Sequence, residues 1–128
     1  MKLEHVALNV PDPVNAAKWY VENLEMRVVR ASVEAPYIHF LADSEGQVML
    51  EIYNNPKAAV PDYSSQSPLI LHIAFAVEDI TGIRTRLIAA GAMAEGEIDS
   101  NAMGDQLAIL RDPWGVPLQL AQRHQPLR

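Results

Sequence analysis

The chain contains no cysteine. That excludes disulfides, a thiolate nucleophile and any cysteine-ligated zinc site. Basic residues are scarce: 10 Lys and Arg stand against 16 Asp and Glu, a formal charge of −6. Nucleic acid is therefore not an expected partner, because binding it depends on cations that neutralise phosphates. No basic amphipathic stretch marks a membrane surface, and no apolar run approaches spanning length. Residues 1–11 are too short and too acidic for a secretory signal. The cytoplasm is the expected location.

What is present is a repeat. His5-Val6-Ala7-Leu8-Asn9-Val10 is followed by Asp12. At 67 residues further on, His72-Ile73-Ala74-Phe75-Ala76-Val77 is followed by Asp79. Later segments echo each other too. Asp43-Ser44-Glu45-Gly46 runs into Leu50-Glu51-Ile52, and Asp112-Pro113-Trp114-Gly115 runs into Leu118-Gln119-Leu120. Each half offers one histidine on an early strand and one carboxylate or amide on a late one. A length of 128 residues suits one domain, here built from two modules at about 1–55 and 69–124.

Alternating apolar residues predict a strand over Leu3–Val10, with Val6, Leu8 and Val10 inward. Asp12-Pro13 predicts a capped helix over Val14–Leu24. Strands follow at Arg27–Val33, Tyr37–Leu41 and Gln47–Tyr53. Asn54–Pro68, rich in Pro, Asn and Ser, reads as a linker. The second half repeats the order. A strand is expected at Leu69–Val77, then a helix capped by Asp79 or Thr81 and ending near Gly91. Strands at Ala94–Glu97, Gln106–Arg111 and Leu118–Gln122 complete it, with a frayed tail from His124. Two β-α-β-β-β modules make an α+β fold.

One face of each of four strands is apolar and should meet a helix. The other face carries His5, Glu51, His72 or Gln119. Two imidazoles, a carboxylate and an amide oxygen form a nitrogen–oxygen ligand set. It suits zinc, nickel, iron, manganese or cobalt better than calcium or cuprous ion. A single strand histidine more often packs or makes an ordinary hydrogen bond. A strand glutamate among apolar neighbours is odder, since burying an unpaired carboxylate is costly. His39 has no polar counterpart in the repeat and reads as structural or substrate-lining. His124 reads as solvated, and Trp19-Tyr20 as core.

At these residues the chain resembles the vicinal oxygen chelate superfamily, which includes glyoxalases, extradiol dioxygenases and bleomycin-binding proteins. The motifs are the opening His5-Val6-Ala7 strand, Trp19-Tyr20 with Leu24, Leu50-Glu51-Ile52, Leu71-His72-Ile73-Ala74, and Asp112-Pro113 with Gly115. The resemblance implies two βαβββ modules forming a cupped mixed sheet with helices on the outer face, and a homodimer. It also implies a divalent metal held by His5, Glu51, His72 and Gln119, with Glu51 and Gln119 as the catalytic pair. Asn9, Tyr53 and Asn55 are the candidate substrate contacts.

The departures matter as much. The last-strand ligand in glyoxalase I is a glutamate that also acts as a base; Gln119 can coordinate but cannot take a proton at neutral pH. Extradiol dioxygenases likewise need a glutamate there. The glyoxalase arginine on the first strand corresponds to Asn9, and a lysine–glycine pair to Met103-Gly104. Glutathione carboxylates thus lack cationic contacts, and efficient lactoylglutathione lyase activity is not expected. The expected function is a metal-dependent lyase or isomerase acting on a small, chelating, oxygenated substrate. The alternative is a metal-free protein that sequesters a hydrophobic or cationic ligand, as bleomycin-binding proteins do.

Overall fold

The computed structural model describes residues 1–127. The first module holds β1 (Val6–Asn9), α1 (Pro13–Asn23), β2 (Arg27–Ala31), β3 (His39–Ala42) and β4 (Met49–Tyr53). The second holds a 3-10 turn (Tyr63–Ser65), β5 (Ile73–Ala76), α2 (Ile80–Ala89), β6 (Met93–Ser100), β7 (Gln106–Arg111) and β8 (Pro117–Gln122). The chain divides into two compact units, Met1–Pro61 and Asp62 onward. The expected linker is therefore shared between them. Within its second part the Tyr63 side chain is buried.

The modules repeat each other strand for strand. Their sheets run β1-β4-β3-β2 and β5-β8-β7-β6, each with one parallel pair (β1/β4, β5/β8) and antiparallel pairs otherwise. The registers coincide as well. Ala7 stands opposite Glu51, and Ala74 opposite Gln119. Both helices begin on an aspartate. Asp12 Oδ1 accepts from the Asn15 N–H at 3.1 Å, and Asp79 Oδ1 from the Gly82 N–H at 2.9 Å.

Each helix covers one face of its own sheet. In the first module Ala16, Ala17 and Tyr20 are buried along with Leu41, Leu50 and Ile52. In the second, Ile80 and Leu87 are buried along with Leu110, Leu118 and Leu120. A fully buried Leu or Ile stabilises the fold by about 1.5–3 kcal/mol. Period-two alternation does the rest. Leu71, Ile73, Phe75 and Val77 are half-buried, whereas His72, Ala74 and Ala76 are exposed on the opposite face. Trp19 is buried, as expected. Among the described residues, no helix is long and apolar enough to cross a membrane.

Several expected ends are corrected. β1 starts at Val6 rather than Leu3, because its partner starts only near Met49. The preceding residues form a turn in which Asp43 Oδ1 accepts from the Gln47 N–H at 2.8 Å. Val6, at the strand's end, is exposed rather than inward. β3 begins at His39, since Tyr37 adopts φ +56° and donates its N–H to Glu34 O at 2.8 Å. β5 begins at Ile73 rather than Leu69. A turn at Ser67–Ile70, closed by Ile70 N–H to Ser67 O at 2.9 Å, leaves Leu69 and Ile70 exposed. β2 ends two residues before Val33, and β6 runs from Met93 to Ser100, twice the expected length. The tail is not free at His124, whose N–H donates to Asp105 Oδ1 at 3.0 Å.

Candidate functional site

In the first module the pleat puts Ala7, Asn9, Glu51 and Tyr53 on one face of the sheet, away from α1. His5 lies one residue before β1 and reaches the same face. Its Nε2 stands 3.2 Å from Glu51 Oε2. The other ring nitrogen, Nδ1, is buried without a hydrogen-bond partner; Glu4 Oε1 lies 3.8 Å away. Phe40, opposite Glu51 on β3, meets the imidazole edge-on at 5.4 Å between ring centres. His39 pairs with the core residue Ile52 and so occupies the other face. That makes it structural rather than part of the polar face.

Asn9 and Asn55 bind each other. The Asn9 side chain donates to Asn55 O at 3.2 Å and to Ala58 O at 3.0 Å, and accepts from the Asn55 N–H at 2.8 Å. Asn55 Oδ1 accepts from the Lys57 N–H at 3.0 Å. Both side chains thus hold the loop after β4. Tyr53 sits opposite Asn9 on the same face.

In the second module the matching face carries His72, Ala74, Ala76, Gln119 and Ala121. His72 Nδ1 lies 2.7 Å from Pro68 O. A carbonyl can only accept, so Nδ1 bears the hydrogen and the neutral ring keeps its lone pair on Nε2. This is the tautomer a metal ligand needs, although His39 has the same bond to Tyr37 O.

His72 and Gln119 line an open cavity of about 310 Å³. The turn contributes Pro68 and Leu69, β7 contributes Leu107 and Ile109, and β6 contributes Glu95, Glu97 and Asp99. The pairing explains this. Gln119, Ile109 and Glu95 form one row across the sheet; Ala121, Leu107 and Asp99 form the next. Four residues of β6 span what two of β7 span, so the strand bulges between Glu95 and Asp99. Gly96 takes φ +75° there, and its carbonyl accepts from Arg84 Nη2 at 2.9 Å. The sequence reading missed this wall. Carboxylates at every second position of one strand were its signal, obscured by placing the strand end at Glu97.

Two buried ionic residues brace the second module. Arg111 donates to Glu95 Oε2 at 2.6 Å, Tyr63 O at 2.7 Å, Gln66 O at 2.8 Å and Gly115 O at 3.2 Å. Asp105 accepts from Arg123 at 2.8 Å, the His124 N–H at 3.0 Å and Asn101 Nδ2 at 3.2 Å. Those donors, Arg123 foremost, hold its carboxyl below the usual carboxylate range.

Among the described residues, no group of three or more His, Asp or Glu side chains is gathered as a metal site. Within the first module one donor pair has the spacing of two zinc ligands. Two ligands of a tetrahedral zinc ion stand about 3.4 Å apart, close to the 3.2 Å between His5 Nε2 and Glu51 Oε2.

Two βαβββ modules, one with a His-and-carboxylate pair and one with a His-and-amide pair on the sheet face away from its helix, define the class: an α+β scaffold. The model of the Glyoxalase/Bleomycin resistance protein/Dioxygenase superfamily matches residues 2–120, and the chain belongs to that family. Similar solved structures agree. A glyoxalase family protein from Bacillus cereus is 20% identical, with 96% of this chain and 94% of that one covered at TM-score 0.81. The protein SMU.1112c is 31% identical over 95% and 98% of the two chains, at TM-score 0.74. An antibiotic binding protein from Streptomyces sp. CB03234 shares the fold at 17% identity, with 96% of each chain covered and a TM-score of 0.73. No curated protein matches the chain.

Proposed function

We propose that the protein is a divalent-metal enzyme of the lyase or isomerase type. Its substrate is a small oxygenated molecule that chelates the ion, and His5, Glu51, His72 and Gln119 are the ligands. The observation that carries this reading is the shared register. In both modules a histidine lies two residues before an alanine, and that alanine stands opposite the second candidate ligand. His5 and His72 each lie one residue before their strand, so both modules carry the donor at the same place.

When bound, such an ion polarises a carbonyl or hydroxyl oxygen of the substrate. The chain's own groups divide the remaining work. Glu51, half-buried, exchanges a proton at a carboxylate oxygen. Gln119 orients without taking a proton. Pro68 O holds the His72 ring in place. With Gln in place of a second Glu, the site is one unit more positive than a His₂Glu₂ set, which strengthens its polarising effect.

The test is calorimetric titration of chelator-treated protein with zinc, nickel, manganese and cobalt ions. Glu51→Ala and His72→Ala should each weaken binding of the preferred ion at least about tenfold. Unchanged binding in both variants contradicts the reading.

One observation favours a second reading, metal-free sequestration of a small ligand. The cavity beside His72 and Gln119 already has an apolar floor and a polar wall before any ion is added. The antibiotic binding protein with the same fold is consistent with it. Unaltered ligand affinity after chelation would favour this second reading.

A further inference from the structure

Arg111 is charged, buried and not one of the candidate ligands. It lies two residues from Ile109 on β7, and Ile109 stands opposite Gln119. Arg111 therefore shares the sheet face that carries Gln119 and His72. Four bonds hold its guanidinium, and only the one to Glu95 ends on a charged group. The other three end on backbone carbonyls. Gly115 O belongs to the turn before β8; Tyr63 O and Gln66 O belong to the segment that leads to β5. That segment has little apolar packing to set its path, since no residue between Tyr63 and β5 is buried. It docks closely all the same: a Cβ on Gly115 would meet the Ser64 hydroxyl. Two residues after Gln66 it presents Pro68 O, which takes the Nδ1 hydrogen of His72 at 2.7 Å. The imidazole itself is exposed, so this bond rather than packing selects its tautomer.

Resting on the reading that His72 is a ligand, we propose that Arg111 is the positioning residue for it. From β7 it fixes residues 63–66, and through them the place of Pro68 O and the tautomer of His72. Arginine suits this task, because one planar fork meets carbonyls of two separate segments at once. Lysine would keep the charge but has no such fork. Glu95 aims the fork through Nε and offsets the burial of its charge. A buried ion pair is a weak source of stability, so the bonds of Arg111 serve orientation first. His39 is the contrast within the same chain. Its acceptor, Tyr37 O, lies two residues away in the first module, and none of the Arg111 bonds reaches it.

The test is nitrogen-15 NMR of the histidine rings in chelator-treated protein at about pH 8.5, well above the ordinary imidazole pKa. The His72 and His39 signals are assigned from His72→Gln and His39→Gln. In the wild type both rings should be in the Nδ1–H form. Arg111→Lys should turn His72 into a mixture dominated by the Nε2–H form, as in a free imidazole side chain, and leave His39 unchanged. Glu95→Ala, at a partly exposed position, should shift His72 less and in the same direction. Should Arg111→Lys fail to fold, Glu95→Ala decides alone. Affinity for the preferred divalent ion should fall about tenfold in Arg111→Lys. The proposal is overturned if wild-type His72 is in the Nε2–H form, or if it keeps the Nδ1–H form in both variants. A shift of His39 as large as that of His72 also overturns it, because that marks general loosening. The ring spectra contain no metal, so they judge Arg111 whether or not an ion binds. A shifted tautomer with unchanged metal affinity would uphold Arg111 as the brace and remove His72 from the ligand set.

Discussion

At Gln119 one atom decides the chemistry. The position matches Glu51 in the first module, yet an amide nitrogen replaces a carboxylate oxygen. Gln119→Glu should therefore tighten divalent-metal binding by at least about tenfold, since an anionic oxygen replaces a neutral one. Competition titration against a chromogenic chelator measures this; equal or weaker binding contradicts Gln119 as a ligand. Asp105 makes a separate residue-scale prediction. Its folded-state pKa lies below the ordinary value of 3.8, so it releases its proton more readily in the folded chain. The stability it contributes is fully present above that ordinary value and is lost as pH falls through the lower folded-state value. Asp105→Asn should flatten the acid limb of a melting-temperature profile against pH. An unchanged slope would mean that its bonds to Arg123 and His124 have no part in acid unfolding.

At the scale of elements, turns set where strands end. Gly115 shows why. It takes φ +89° in the turn before β8, and a Cβ there would collide with the Ser64 hydroxyl and approach Ser64 N at 3.0 Å. Gly115→Ala should cost about 2 kcal/mol or more, from left-handed backbone strain plus the clash; a denaturant melt within error of wild type would refute this. The same logic explains how much of the fold could be read from the residues. Strand faces were legible because alternation is local: it placed His72 opposite Ile73 and Phe75, and Glu51 opposite Leu50 and Ile52. The caps at Asp12 and Asp79 were legible because each aspartate acts within three residues. The strand starts at Val6, His39 and Ile73 were not, since each depends on a turn or a partner strand. Nor was the part played by Asn9, whose amide is engaged by a loop 46 residues away in sequence. The wall of β6 was half visible, because its carboxylates alternate but its bulge needs β7 as a ruler.

For the whole molecule, duplication is the governing fact. One strand order, one helix cap and one register occur twice, and within each module the single helix packs on one face of the sheet. A single helix per four-stranded sheet and open sheet edges favour association with a second chain, and we propose a two-fold homodimer. Sedimentation equilibrium at micromolar concentration should give twice the mass of 14.2 kDa; a monomer would contradict it. We propose that the two duplicated donor pairs hold metal. Elemental analysis of protein purified without chelator tests that most directly. About one divalent ion per chain should be found, falling to a small fraction in the His5→Ala/His72→Ala double variant. Metal-free wild-type protein that also fails to take up any of the five candidate ions on titration would contradict it.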